Sequence, residues 1–495
     1  MGRALVLMGA TSCLTPPATF DTSSATSTSS GGGGDASSAS ITSTTSTTST
    51  ASTATGGEQP GPPLRFAKRF GNADDQELGD LLMDSPDTAL IVGTWGGPVD
   101  FDDGQGAATE CPGTRHAFLA KLDSDGNVIF RRCFGENASA RAVAVDAMNG
   151  QIAVIGDFRG TIEGFTPPVI TSDSGSSDVF VARFSSAGAP LDIRRLGGPL
   201  DDEGTGIAAW SGKLFVAGVF RGTADLGAGT YTAVEGGDVF WSKFEGTAST
   251  TVLKGGGSNP TVDLTWHGGK SYLSGSFEQT LNTSAGARTA TQRDGFLVVL
   301  DAAGVATSID ALGGAGDDRV DAYVQTGKYV MLGGAFAQEL DFEPASPIPG
   351  TVIAADPPDG FVVTLDVTDF GLLDQQGIGA GRVGAQTVTA LASEAETVVA
   401  GGVFSGAIDL GKGEWVTPVG HDGFVVERAV VGGAVAWALH IGQDGDQAVV
   451  AVGHRNGRTF VGGTHDAAFT VGASPGKFDV ACAGERDVFV LALDD

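Results

Sequence analysis

One phenylalanine returns seven times at a nearly constant interval, and no ordinary globular core demands that. The copies are Phe118, Phe180, Phe240, Phe296, Phe361, Phe424 and Phe489, spaced 62, 60, 56, 65, 63 and 65 residues apart. Six of them carry an acid two residues earlier, namely Asp178, Asp238, Asp294, Asp359, Asp422 and Asp487, with His116 in the first copy. A second line in the same register is an aromatic after glycine-rich strands: Trp95, Phe158, Phe220, Phe277, Phe336 and Phe404, replaced by His465 in the last copy. A third is a basic or polar stretch ending in glycine, as in "RFAKRFG", "FRRCFG", "IRRLGG" and "VLKGGG". Each repeat divides into four short β-rich runs, and runs such as "VFVARF" and "FVVTL" are apolar on both faces. Such strands belong to sheets covered on both sides. Four-stranded units of this length in sevenfold repetition predict an all-β, seven-bladed β-propeller of antiparallel blades.

Composition agrees. Glycine supplies 77 of 495 residues, about twice the ~7% of an average chain, as many tight turns require. The phase of the repeat also predicts closure. The last copy ends at "DVFVLALDD" without its basic-glycine strand, whereas one such strand, residues 64–71, precedes the first full copy. The N-terminal strand should therefore complete the seventh blade and remove the open edges of a linear array. The quoted segments "DGFVVTLD", "HAFLAKLDSDGNVIFRRCFG" and "LGGAGDDRVDAYVQTGKYVMLGGAF" resemble the SBBP-type β-propeller repeats of bacterial exported proteins. The resemblance covers residues 64–495, departs at the glycine-end loops "GGGSNPT" and "GIGAGRV", and implies a fold and an exported setting but no single activity.

Ahead of the repeats, residues 1–13 read MGRALVLMGATSC, an arginine, a short apolar run and small residues before Cys13. This resembles a bacterial lipoprotein signal, which implies cleavage before Cys13 and acylation of that residue; the other reading is an ordinary secretory signal. Residues 14–63 include ITSTTSTTST and four consecutive glycines. Without apolar periodicity they form a tether. The expected location is the cell envelope, anchored to an outer membrane or extracellular, with membrane contact only through the N-terminal lipid. Cys133 stands where Leu196 stands in its repeat and reads as a small apolar residue. Cys111 and Cys482 each lie seven residues before a repeated Phe; in adjacent blades of a closed ring an oxidising compartment would let them pair.

The net charge is −30, of which −28 falls after residue 63. That repels phosphate backbones and argues against nucleic acid as a partner. With the four strands of a blade lettered A to D outward, the A–B turns are minimal ("SGK", "TGK") and the B–C loops run to about twenty residues. Sites favour elaborated loops, so the face bearing the B–C and D–A loops is the expected working face. Four acids on the D–A loops, Asp75, Asp202, Asp318 and Asp446, are candidate Ca²⁺ ligands if they converge; otherwise each accepts hydrogen bonds within its own turn. No other cofactor is indicated. The histidines are scattered without metal-ligand spacing, and no P-loop motif is present. The reading is therefore a monomeric, non-enzymatic binding module for a protein or glycan. The alternative is a secreted hydrolase or lyase with an acidic site on the same face.

Overall fold

In the computed structural model the described residues are 62–97, 101, 115–166, 169–173, 175–234, 236–342, 352–353, 358–378, 384–411, 414–416, 420–471, 478–482 and 485–494. Cys13, Cys111 and nearly all of the 14–63 segment lie outside them. Every regular element is a β-strand. The strands pair antiparallel in runs of four. Five runs are separate sheets, the first being Gln76–Ser85, Thr88–Gly96, Arg115–Leu122 and Val128–Phe134 in hydrogen-bonding order. The third and fourth runs are joined in one ten-stranded sheet where Lys254 and Gly255 pair with Asn282 and Leu281. The last described unit joins Gln447–His454, Arg458–His465 and Asp487–Asp494 to the N-terminal strand Leu64–Phe70, in a register running from Leu64↔Leu493 to Phe70↔Val488. Each A strand packs on the A strand of the next unit, and Gln447–His454 packs on Gln76–Ser85. This arrangement is a β-propeller.

Glycine explains how each blade stays thin. The repeated Phe of strand C lies directly across from a strand-B glycine: Phe118↔Gly93, Phe180↔Gly156, Phe240↔Gly218, Phe296↔Gly275, Phe361↔Gly334, Phe424↔Gly402 and Phe489↔Gly463. A Cβ on Gly402 would meet the Phe424 ring and the carbonyl oxygen of Thr387. On the other side of that glycine the A strand bulges, with the register shift between Val388 and Ala390. The Phe ring thus occupies the space a side chain would take. Gly402→Ala is expected to cost ~1–3 kcal/mol through overpacking, read as a lower melting temperature at an unchanged far-ultraviolet spectrum.

The long B–C loops have a structural task that their length alone did not disclose. Most contain a short hairpin, such as Thr223–Asp225 with Thr230–Thr232, or Ala407–Asp409 with Glu414–Val416. Each drives an apolar residue into the seam between its own unit and the preceding one. Phe101 packs with Phe70 and Phe118, Ile162 with Phe134, Leu226 with Leu196, Leu281 with Leu253, Leu340 with Leu312, and Phe469 with Ile441. The hairpin of the third unit also exchanges backbone hydrogen bonds of 2.9 and 3.0 Å between Asp225 and Gly197, the end of the preceding D strand.

Cys133 corrects the sequence reading. It packs beside Phe118 as an apolar residue would, but it is disulfide-bonded, as is Cys482. Similarity to Leu196 could report its packing environment and not its oxidation state.

Candidate functional site

The long-loop end of the barrel is built from two rows of residues that the sequence ran together. In five units the backbone N–H at the start of the A strand donates to the backbone carbonyl of the residue just before the repeated Asp of the preceding unit. The donors and acceptors are Gln76 to Arg486 (2.9 Å), Asp202 to Ser177 (2.7 Å), Asp318 to Arg293 (2.8 Å), Gln386 to Pro358 (2.9 Å) and Gln447 to His421 (2.7 Å). These five side chains are buried. The equivalents of Asp202 and Asp318 are therefore Gln76 and Gln447, while Asp75 and Asp446 sit one residue earlier, with Asp201 and Asp317. Counting from a glycine merged the rows, because the count starts at Gly71 and Gly442, directly after the last D-strand residue of the ladder, but at Gly198 and Gly314, the second glycine of a pair.

The structure does not bring Asp75, Asp202, Asp318 and Asp446 together. Asp202 accepts from Gly198 N and Arg221 N, both at 2.8 Å. Asp318 accepts from Gly314 N at 2.8 Å and Ala337 N at 2.9 Å. Asp446 accepts from the backbone N–H of His421 at 2.9 Å and lies 3.2 Å from its Nδ1; this imidazole holds its carboxyl below the usual range. Asp75 is exposed, and its carbonyl accepts from Gly96 N. Among the described residues no three His, Cys, Asp or Glu side chains are grouped to hold a metal ion.

The repeated Asp before each Phe is buried and acts as a latch between strands. Asp178 accepts from Arg195 Nε at 2.6 Å, Asp238 from Gly255 N at 2.8 Å, and Asp422 lies 2.6 Å from His440 Nε2. In the first unit His116 takes the place, its Nδ1 donating to Gly135 O at 2.6 Å. In two units this latch meets a second buried acid. A Cβ on Gly197 would touch both Asp178 Oδ1 and Asp202 Oδ2, and one on Gly313 would touch both Asp294 Oδ1 and Asp318 Oδ2. Neither Asp178 Oδ1 nor Asp294 Oδ1 has a hydrogen-bond partner among the described residues. Burial, with the facing Asp178 charge adding to it, pushes the Asp202 carboxyl up to about 7. Burial and the Asp318 charge push Asp294 up to about 6, and burial raises Asp318 to about 6. At Asp487 the second residue is a glutamine, Gln76, and the like-charge conflict is gone. The sequence displayed the Asp line but not what it faces.

The exposed residues of this face include acids, alongside Arg159 and Leu200. Asp75, Asp201 and Asp317 reach solvent beside the buried row, and Asp201 pairs with Arg159 at 3.1 Å. His440 is held by Asp422, and His465 is buried, donates to Ala467 O at 2.9 Å and is pushed down to about 4 by burial.

No protein-family model matches the chain. Over 132 residues it is 36% identical to the regulatory protein FlaEY of Caulobacter vibrioides, a stretch covering 26% of this chain and 14% of that protein. Among solved structures it is similar to the WD40 β-propeller domain of Doa1, at 10% identity, 86% and 96% coverage of the two chains, and a TM-score of 0.39. It is also similar to the β-propeller domain of the Trilobed protease from Pyrococcus furiosus, at 9% identity, 85% and 94% coverage, and a TM-score of 0.40.

Proposed function

We propose that the units form one closed seven-bladed propeller, exported and held at the cell envelope through a lipid on Cys13, which binds a protein or glycan on its long-loop face. Closure is supported by the pairing of Leu64–Phe70 with Asp487–Asp494 and by the packing of Gln447–His454 on Gln76–Ser85. The observation that carries the binding reading is the split of the acids into two rows. One row is buried and spent on joining blades; the other, Asp75, Asp201 and Asp317, is presented to solvent on the same end of the first, third and fifth units. A repeated charge open to solvent suits recognition of a cationic or polyhydroxylated surface. Of the acids that burial raises, Asp202, Asp294 and Asp318 are raised furthest and are 0%, 7% and 1% exposed, whereas Asp310 and Asp466, raised in the same direction, are half-buried.

A photo-crosslinking amino acid placed in living cells at Asp75, Asp201 or Asp317 should yield discrete adducts. The same group at Asn149 or Ser211, in the A–B turns of the opposite face, should not. Adducts of equal yield on both faces, or on neither, would overturn the proposal. The anchor is tested separately by labelling cells with radioactive palmitate, which Cys13→Ala should abolish.

A further inference from the structure

Six residues after each repeated Asp, or after His116, strand C carries a side chain that fills the outer end of the seam. The row reads Leu122, Phe184, Phe244, Leu300, Leu365, Arg428 and Leu493. All but Arg428 are buried apolar residues. The third and sixth units allow a direct comparison, because both carry the same hairpin turn. "DLGAG" begins at Asp225 and "DLGKG" at Asp409, and in each the aspartate Oδ1 accepts from the glycine two residues on, Gly227 N at 2.9 Å and Gly411 N at 2.8 Å. In the third unit Phe244 lies against Gly227, and the Leu226 carbonyl accepts from Ser242 Oγ at 2.9 Å and Thr250 Oγ1 at 3.1 Å. The seam is full. In the sixth unit the cross-strand pair Ser242↔Thr250 is replaced by Val426↔Ala438, and Phe244 by Arg428.

A cavity of about 210 Å³ lies there, lined by Ile378, Leu410, Val426 and Val435 on its apolar side and by Arg428 and Asp409 on its polar side. Arg428 Nε and Nη1 are buried and have no hydrogen-bond partner among the described residues, and Gln376 Oε1 next to Gly433 has none either. Burial pulls the Arg428 guanidinium down to about 10 against the opposing field of Asp374. Asp374 does not satisfy it, because its oxygens are taken by Gln375 N, Gln376 Nε2 and Gly432 N.

We propose that this cavity between the fifth and sixth units is a binding site for a small organic monocarboxylate, its carboxylate on the Arg428 guanidinium and its apolar body against Ile378, Leu410, Val426 and Val435. A guanidinium with two unused N–H groups matches a carboxylate better than any other small anion of single charge. The carboxylates of Asp374 and Asp409 disfavour a multiply charged ligand such as phosphate. The cavity borrows Asp409 and Leu410 from a B–C hairpin of the long-loop face, but the carboxylate proposal does not rest on a macromolecular partner.

The test is the melting temperature and calorimetric titration of the full chain with millimolar butyrate and benzoate, against sodium chloride, phosphate and butanol as controls. Butyrate or benzoate should raise the wild-type melting temperature by a few degrees more than any control. Arg428→Leu, which restores the residue found at four other positions of the row, should fold, melt no lower than wild type without ligand, and lose the carboxylate response. Arg428→Lys should keep a reduced response. A wild type that responds to neither carboxylate, or an Arg428→Leu variant that responds equally, would overturn the proposal. So would an Arg428→Leu variant that melts well below wild type, since the guanidinium would then be satisfied within the protein.

Discussion

Removing residues 1–70 should abolish cooperative unfolding, whereas removing residues 1–61 should leave the melting temperature where it is. The difference between the two truncations is the strand Leu64–Phe70. Phe66 and Phe70 are 6% and 0% exposed; Phe66 meets Phe460 edge-on at 5.8 Å between ring centroids, and Phe70 meets Phe101 at 6.0 Å. Losing either ring costs about 3–5 kcal/mol. Losing the strand also bares the edge of Asp487–Asp494, whose ladder groups would then be free to pair with another chain. The sum rivals the whole stability of a typical domain, roughly 5–15 kcal/mol. Thermal melts and size-exclusion chromatography of the two truncations decide the matter: a sharp, unshifted transition after removal of residues 1–70 would mean that the ring does not depend on this pairing. Phe70→Ala is the milder version, with an expected loss of about 3–5 kcal/mol in chemical denaturation.

The second large effect is a stability that rises on acidification. Asp202, Asp294 and Asp318 have folded-state pKa values raised to about 7, 6 and 6 from 3.8. A carboxyl whose pKa is raised by folding favours the native state below its unfolded value, and loses that contribution as pH climbs through its folded value. For Asp202 the span corresponds to on the order of 4 kcal/mol between pH 4 and pH 8. His465, lowered from 6.5 to about 4 by burial, works the other way, withdrawing stability as pH falls below its unfolded value. Three carboxyls outweigh one imidazole, so the melting temperature should be higher near pH 5.5 than at pH 8. Asp294→Asn identifies the source. Its amide nitrogen can occupy the place of the unpartnered Oδ1 and donate to Asp318 Oδ2 across Gly313. The variant should gain roughly 2 kcal/mol at pH 8, change little at pH 5.5, and flatten the pH profile. A variant that loses stability equally at both pH values would refute the buried like-charge pair.

Both effects come from features that were partly legible beforehand. The N-terminal strand was readable because a repeat with a missing member advertises where the member must come from. The buried acids were readable as a periodic row, but not as pairs. Which of two adjacent acids, Asp201 or Asp202, turns inward depends on the hydrogen bond from Asp202 N to Ser177 O of the preceding unit. No local pattern encodes that bond. The B–C loops misled in the same way. Their length suggested free surface, while Ile162, Leu226 and Leu340 within them are fully buried wedges.

The sequence by itself determined the period, the β-rich runs of each unit, and the strand that meets the C-terminus. These follow from local rules, chiefly alternation and turn chemistry, and each is written once per repeat. Only the tertiary structure decided which loop residues fill the seams, which acids face one another across Gly197 and Gly313, and that Arg428 borders a gap where its six counterparts close one. Those outcomes are set by how one unit sits against the next. A contact between residues about sixty positions apart leaves no periodic trace in either segment alone.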